Sequence, residues 1–301
     1  MELQEKHKNI LNNFVNEASL DKNILMIILT GGLYHKYVNE NSDINLIAVV
    51  QDDKVKNYDY TCIYQDIVFD IVIFSRTQII QNLTNQTGIY HRYSYLSDNE
   101  ILFSRDESLN EILNQVRRVK QDYFDKLIIR GISEILFYIR EIKKCLELKK
   151  DTLCAQHYFV KAAETLTLIE YAANKKTFGL TPVADAYKLN KELFEIFYKE
   201  ALTEKWTIEK CYKSLDILNK YIDKYADVIQ KPIIKTFKIL NKDILTLGEI
   251  AGQFQIFPPF IFLFCQWLAE KSVIAQVTIP LELSKKGVFE VEQIAYFYNI
   301  L

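Results

Sequence analysis

The residues in this sequence best suited to chemistry are two glycines and three short polar side chains. Gly31-Gly32 ends the apolar run that starts at Ile24, Asp43 and Asn45 open a second apolar run, and Asp70 lies inside a third. A glycine pair between a strand and a helix lets backbone N–H groups approach phosphate oxygens, and a helix start favours negative charge. Gly31, Gly32 and the neighbouring Ser42 are therefore candidate phosphate ligands. Side chains two apart on a strand share a face, so positions 43 and 45 point the same way. With Asp70 on a neighbouring strand they could hold Mg²⁺ or Mn²⁺ as metal ligands.

The elements that must place these residues can be read from periodicity. Ile10, Leu11, Phe14 and Val15 have helical spacing, so a helix is expected to end around Ala18 to Asp21. Ile24 to Leu29 reads as a strand buried on both faces and stopped by the glycines, and Leu33 to Val38 as a short helix. Ile44 to Val50 and Ile67 to Phe74 read as two more strands of one sheet. The charged stretch Gln51 to Asn57 has turn character and could close a hairpin between them.

Beyond Ser75 the period changes. Leu109 to Tyr171 repeats apolar residues at helical spacing, Gly179 and Pro182 break the pattern, and Leu189 to Ile229 resumes it as far as Pro232. Leu247 to Phe254 and Pro258 to Lys271 then read as two helices, and Val273 to Ile279 and Val288 to Phe297 as two strands around Lys285-Lys286-Gly287. Helix, turn, helix and hairpin is the order of a winged helix.

Composition narrows the partners. Against 39 acidic residues stand 37 lysines and arginines, a net charge of −2, and the pI is near 6.2. A nucleic-acid binder usually carries a basic excess, so a small substrate is favoured and nucleic acid is not expected as a partner. The second of the two C-terminal helices, Pro258 to Trp267, has no arginine, lysine or asparagine to read base edges. It reads as a docking module, within the chain or across a homodimer. Five cysteines without a C-x-x-C pair suit a reducing compartment better than a disulfide framework, and structural zinc is not expected. With no apolar run near the roughly 20 residues of a membrane span, the expected location is the cytoplasm.

Leu29-Thr30-Gly31-Gly32 followed by Ser42-Asp43-Ile44-Asn45-Leu46 resembles the signature of polymerase-beta-type nucleotidyltransferases, hG[GS] then Dh[DE]h. Phe69-Asp70-Ile71-Val72 matches that family's third carboxylate by type and order. Taken singly, such glycines and aspartates are ordinary structure; their order and spacing together carry the resemblance. It implies an α+β fold: an N-terminal nucleotidyltransferase-like mixed sheet with flanking helices (residues 1–108), a central helical bundle (109–238) and a C-terminal winged helix (239–301). The whole order is similar to bacterial nucleotidyltransferase-like proteins.

The resemblance further implies a nucleoside triphosphate as substrate, with Asp43, Asn45 and Asp70 at the metal and Asp70 orienting or deprotonating an unknown acceptor. In relatives with a helical second domain a glutamate serves as general base, for which Glu164 is the candidate; a solvated glutamate on an amphipathic helix is the alternative reading. Arg92, in Tyr90-His91-Arg92-Tyr93, and Arg105 could contact phosphate or base. Two positions depart from the family: Asn45 stands where a second acidic residue is usual, and His35 where arginine is frequent. The sequence leaves three functions open: nucleoside monophosphate transfer to a hydroxyl of a small molecule or protein, nucleotide sensing without catalysis, or DNA-binding regulation.

Overall fold

Six apolar residues in a row need cover on both faces, and the run from Ile24 receives it. In the computed structural model of the chain, which describes residues 2–51, 58–84, 99–117, 121–176, 182–282 and 290–299, this run is β1 (Ile24–Thr30), with Met26, Ile27 and Ile28 almost wholly buried. Around it forms a mixed five-stranded sheet in the order β3-β4-β2-β1-β5. Its other strands are β2 (Ile44–Val50), β3 (Tyr58–Tyr64), β4 (Ile67–Ser75) and β5 (Glu100–Ser104). β1 runs antiparallel to both β2 and β5, whereas β2 and β4 are parallel.

Helix α1 (Glu2–Ala18) covers one sheet face. Its Ile10 and Leu11 join Ile27, Leu29, Ile44, Leu46 and Phe69 in one core, and Phe14 stacks on Phe69 at 4.7 Å. Strand alternation then commits positions 45 and 70 to the opposite face.

The expected hairpin between the second and third apolar runs does not form. Those runs are the parallel pair β2 and β4, and the hairpin is instead β3 and β4, joined by Gln65 and Asp66, both at positive φ. Two connected strands can be parallel only if the chain crosses over, and here β3 lies between them in sequence. Between β1 and β2 lies α2 (Gly31–Tyr34), and after β4 come α3 (Arg76–Thr84) and α4 (Glu107–Arg117). Arg105 spends its guanidinium on the carbonyls of Ser19 and Asp21, at 2.6 and 3.2 Å, and lies over the Phe103 ring, so it braces the loop after α1.

The described residues up to Arg117 form one compact unit and those from Gln121 onward a second. The second opens with α5 (Gln121–Lys144), continued by a π-helical turn (Cys145–Lys149), and α6 (Thr152–Ala173). The helices cross closely at Gly131, where an added Cβ would lie 2.6 Å from Ile169 Cγ1. Between them Lys150 takes a left-handed conformation and Asp151 caps α6 through the Cys154 N–H. This tight reversal brings Cys145 and Cys154 together as a disulfide with Cα atoms 5.9 Å apart. The expectation of unpaired cysteines is corrected for this pair, because the π turn shortens a separation that sequence spacing alone makes look unremarkable.

The bundle continues with α7 (Pro182–Leu189), α8 (Lys191–Phe194, prolonged by the π turn Glu195–Glu200 and Ala201–Thr203), α9 (Ile208–Asp223) and α10 (Ala226–Leu240). Pro232 sits inside α10 and does not end it, contrary to expectation. The chain closes with β6 (Ile244–Thr246), α11 (Leu247–Phe254), α12 (Pro258–Glu270), β7 (Ala275–Glu282) and β8 (Glu290–Phe297), the three strands forming an antiparallel sheet in the order β6-β8-β7. A capping box between Thr246 and Glu249 starts α11, and α12 turns from it by 106°. Ile261, Phe264, Cys265, Trp267 and Leu268 bury one side of α12, and Phe260 meets Phe137 of α5 at 5.0 Å. Among the described residues no single helix is long and apolar enough to cross a membrane.

Candidate functional site

A row of polar side chains crosses four strands at one level of the first sheet. Thr30 on β1 is the register partner of Asn45 on β2, Asn45 of Asp70 on β4, and Asp70 of Thr61 on β3. Directly opposed residues place their side chains on the same face with Cβ atoms roughly 5 Å apart, so the row is continuous. Asp43, two residues before Asn45, belongs to the same alternation.

The glycine turn meets this row at Asn45. Gly31 has φ +69, and a Cβ built on it would lie 3.0 Å from Asn45 Cβ and 3.2 Å from Asn45 Nδ2. A Cβ on Gly32 would come within 2.8 Å of the Tyr37 carbonyl oxygen, because the chain folds back there and the Tyr37 N–H donates to the Gly32 carbonyl at 2.9 Å. Both glycines are thus required by the turn itself. α2 is one turn long and ends before Lys36 at positive φ, shorter and earlier than the expected helix of residues 33–38. Thr30 at its N-cap makes no side-chain capping bond, and its hydroxyl donates instead to the Asn45 carbonyl at 3.3 Å.

Asp70 is oriented by Thr61, whose hydroxyl donates to Oδ1 at 2.6 Å. Thr61 was not foreseen from the sequence; the alternation of Tyr58, Tyr60, Cys62 and Tyr64 is the signal that would have revealed its strand. Ser42 uses its hydroxyl locally: it accepts from the Asn39 N–H at 2.8 Å and donates to Asn39 Oδ1 at 3.3 Å, closing the turn before Asp43. The buried ring of His7 reaches the Ser42 carbonyl at 3.3 Å and the Leu3 carbonyl at 2.8 Å, tying that turn to α1. His35 packs edge-on against Tyr34.

Of the remaining candidates, Arg92 lies outside the described residues. Glu164 stands in the second unit, exposed on α6 and paired with Lys161 at 3.0 Å, a contact that holds the lysine above its ordinary range. Other carboxylates of that unit are more firmly held. Glu134 bonds Arg130 at 2.7 Å and accepts from Thr165 at 3.4 Å. Glu170, 5% exposed, accepts from Tyr221 at 2.5 Å and from Asn190 at 2.7 Å.

The donor set bears on metal binding. The family signature supplies three carboxylates; here the position between Asp43 and Asp70 carries an amide, with its nitrogen toward Gly31. Hard divalent cations draw affinity from ligand charge, and an N–H₂ group donates and does not ligate. Among the described residues no three His, Cys, Asp or Glu side chains assemble as a metal-binding group. The row thus offers a divalent cation two carboxylates and an amide, one negative charge fewer than the family signature supplies.

No family model matches this chain, and no curated protein matches it. Among solved structures it is similar to the crystal structure of a nucleotidyltransferase-like protein from Exiguobacterium sibiricum 255-15, with a TM-score of 0.66, covering 97% of this chain and 99% of that one at 12% identity. The fold is that of a nucleotidyltransferase-like protein. The likeness runs through both units, and at this identity it speaks for the architecture alone. The mixed α+β class expected from the sequence agrees with it.

Proposed function

We propose that the first unit binds the phosphate tail of a nucleoside triphosphate at the Gly31-Gly32 turn and that the chain directs the nucleoside monophosphate to a hydroxyl of a small molecule or protein. The observation that carries this reading is the meeting of the turn and the acidic strands at one residue: Asn45 touches Gly31 and pairs in register with Asp70. The first-turn N–H groups of α2 donate to phosphate oxygens. Asp70, with one oxygen held by Thr61, orients the acceptor hydroxyl, and Asp43 shares its face. Ser42 contributes by fixing the turn that presents Asp43. Glu164 is the second unit's candidate general base, and Arg92 remains a candidate nucleotide contact.

Bound Mg²⁺ or Mn²⁺ would supply charge neutralisation at the phosphates. The domains are read as residues 1–108, 109–238 and 239–301, the last a winged helix serving to dock within the chain or across a homodimer. α12 supports docking over DNA binding, since its Phe260 is spent on Phe137 of α5 and it offers no basic side chain. A cytoplasmic location completes the reading.

The test is incubation with labelled ATP, GTP, CTP and UTP in Mg²⁺ or Mn²⁺, followed by pyrophosphate release. Release with one of the four supports transfer. Absence of both binding and release for all four removes the proposal. Asn45 favours a second reading, nucleotide sensing without transfer, for which the expected result is binding with no pyrophosphate. DNA regulation predicts a duplex mobility shift at low salt, and none is expected.

A further inference from the structure

We infer that Cys145 and Cys154 form a reversible thiol–disulfide exchange site at the turn between α5 and α6, at which Cys154 takes up a low-molecular-weight disulfide and Cys145 displaces it. The two residues are placed to bond: their Cα atoms are 5.9 Å apart with a sequence separation of 9, inside the span that disulfides use. Their exposures differ. Cys145 is 2% exposed, whereas Cys154 is half-buried in the first turn of α6, so a reagent arriving from solvent meets Cys154 first.

The turn is also held without the sulfur bond. The Asp151 N–H donates to the Cys145 carbonyl at 3.0 Å, and the Asp151 carboxylate caps α6 through the Cys154 N–H at 2.9 Å. Two residues further on, the buried Gln156 side chain donates to the carbonyls of Ala201 and Glu204 at 3.2 and 2.7 Å and accepts the Trp206 N–H at 3.2 Å. These bonds pin the start of α6 whatever the state of the sulfurs. Closing so short a loop constrains the unfolded chain less than closing a long one, so the fold depends little on this bridge. The bond can open and close with the helices in place.

The exchange balances without any further reagent. The Cys154 thiolate attacks one sulfur of the small disulfide, whose S–S bond breaks, and one thiolate leaves. Cys145 then gives up its proton and attacks the Cys154 sulfur of the mixed disulfide, expelling the second thiolate. The chain loses two electrons and two protons, and the small disulfide gains them as two thiols. Reduction runs the same steps backwards.

The experiment uses the full chain carrying Cys62→Ser, which removes the exposed thiol of β3 and leaves Cys211 and Cys265 buried. Glutathione, reduced or oxidised, is the probe. Reduced protein is mixed with oxidised glutathione under native conditions, quenched in acid and weighed by mass spectrometry. The pair is expected to close with no glutathione retained, and to reopen in excess reduced glutathione with the helical circular dichroism signal unchanged. Adding Cys145→Ser is expected to leave one glutathione on Cys154, captured at least about 10-fold faster than Cys145 captures one when Cys154→Ser is added instead. A pair that never closes, one that stays closed in reduced glutathione until the chain is denatured, a helical signal lost on reduction, or equal capture by the two variants overturns the inference. The opening and closing of the Cys62→Ser chain is read without either further substitution, so the result stands even where one of those variants fails to fold.

Discussion

Asn45 packs directly on Gly31, with its Cβ 3.0 Å from the point a Gly31 side chain would occupy. Gly31 is also at φ +69, where an L side chain costs about 1–2 kcal/mol. Gly31→Ala is therefore expected to lose roughly 2–3 kcal/mol of stability, backbone strain plus overpacking against Asn45. The double substitution Gly31→Ala with Asn45→Ala should recover the packing part and keep the strain. Urea midpoints of the three proteins measure both terms, and equal losses in the single and double variants would show that contact with Asn45 is immaterial.

Thr61→Val removes the hydroxyl that holds Asp70 while keeping the β-branched shape its strand favours. Thr61 is on the exposed edge strand, so the stability cost should stay within about 1 kcal/mol. Under the transfer reading, turnover should fall severalfold with little change in nucleotide affinity, because Thr61 acts through Asp70 and not on the phosphates. A matching fall in affinity with unchanged turnover would assign Thr61 to binding instead.

How much of this site the sequence discloses depends on what each residue contributes locally. β1, β2 and β4 are legible because continuous apolar runs need burial on both faces, and Gly31-Gly32 marks where the first one stops. β3 is less so: Tyr58, Tyr60, Cys62 and Tyr64 alternate, but the strand lies at an exposed edge, and its turn uses Gln65 and Asp66 at positive φ instead of the Asn-Gly that announces a hairpin. Missing β3 hid Thr61 and made the parallel pairing of β2 with β4 look like a hairpin. Parallel register is set by the packing of the whole sheet, so no local signal pairs Asn45 with Asp70.

The second unit shows the same division. The Thr246–Glu249 capping box and the proline start of α12 are local, and both helices appear with the boundaries their residues suggest. Pro232 misleads because α10 tolerates it, and Cys145 and Cys154 meet only through a π turn.

Asp106 provides a test by pH. Its Oδ1 accepts from the Ser108 hydroxyl at 2.6 Å and from the Ser108 and Leu109 N–H groups that open α4, while Oδ2 meets Arg76 at 2.7 Å. The Ser108 bond first, then Arg76, hold its carboxyl below the ordinary 3.8 despite some desolvation. A depressed folded value means the stabilisation is present above the unfolded value and is lost as pH falls through the folded one. Asp106→Ala should cost about 1 kcal/mol near neutral pH, as for a lost cap, and the gap to wild type should close below about pH 4. Thermal melts across that window check it; a gap that persists in acid would mean packing, not charge, is responsible.

Tyr221 and Glu170 make the corresponding case at the alkaline end. The Tyr221 hydroxyl donates to Glu170 Oε1 at 2.5 Å and contacts Tyr225 at 3.3 Å, and Glu170 is 5% exposed. Burial, then the neighbouring Tyr225 and Glu170, raise Tyr221 well above its ordinary value of 10.0. In the unfolded chain the phenol ionises near that ordinary value and in the folded chain it does not, so unfolding is favoured progressively as pH climbs past it. Tyr221→Phe leaves Glu170 short of a donor in a buried site, which should cost about 1–3 kcal/mol at neutral pH. The same change removes the ionisable group, so the variant should lose less further stability than wild type between about pH 9 and about pH 11. Urea midpoints at the two pH values decide the point: parallel losses in both proteins would show that the alkaline sensitivity resides elsewhere, with the similarly raised Tyr225 the next residue to replace.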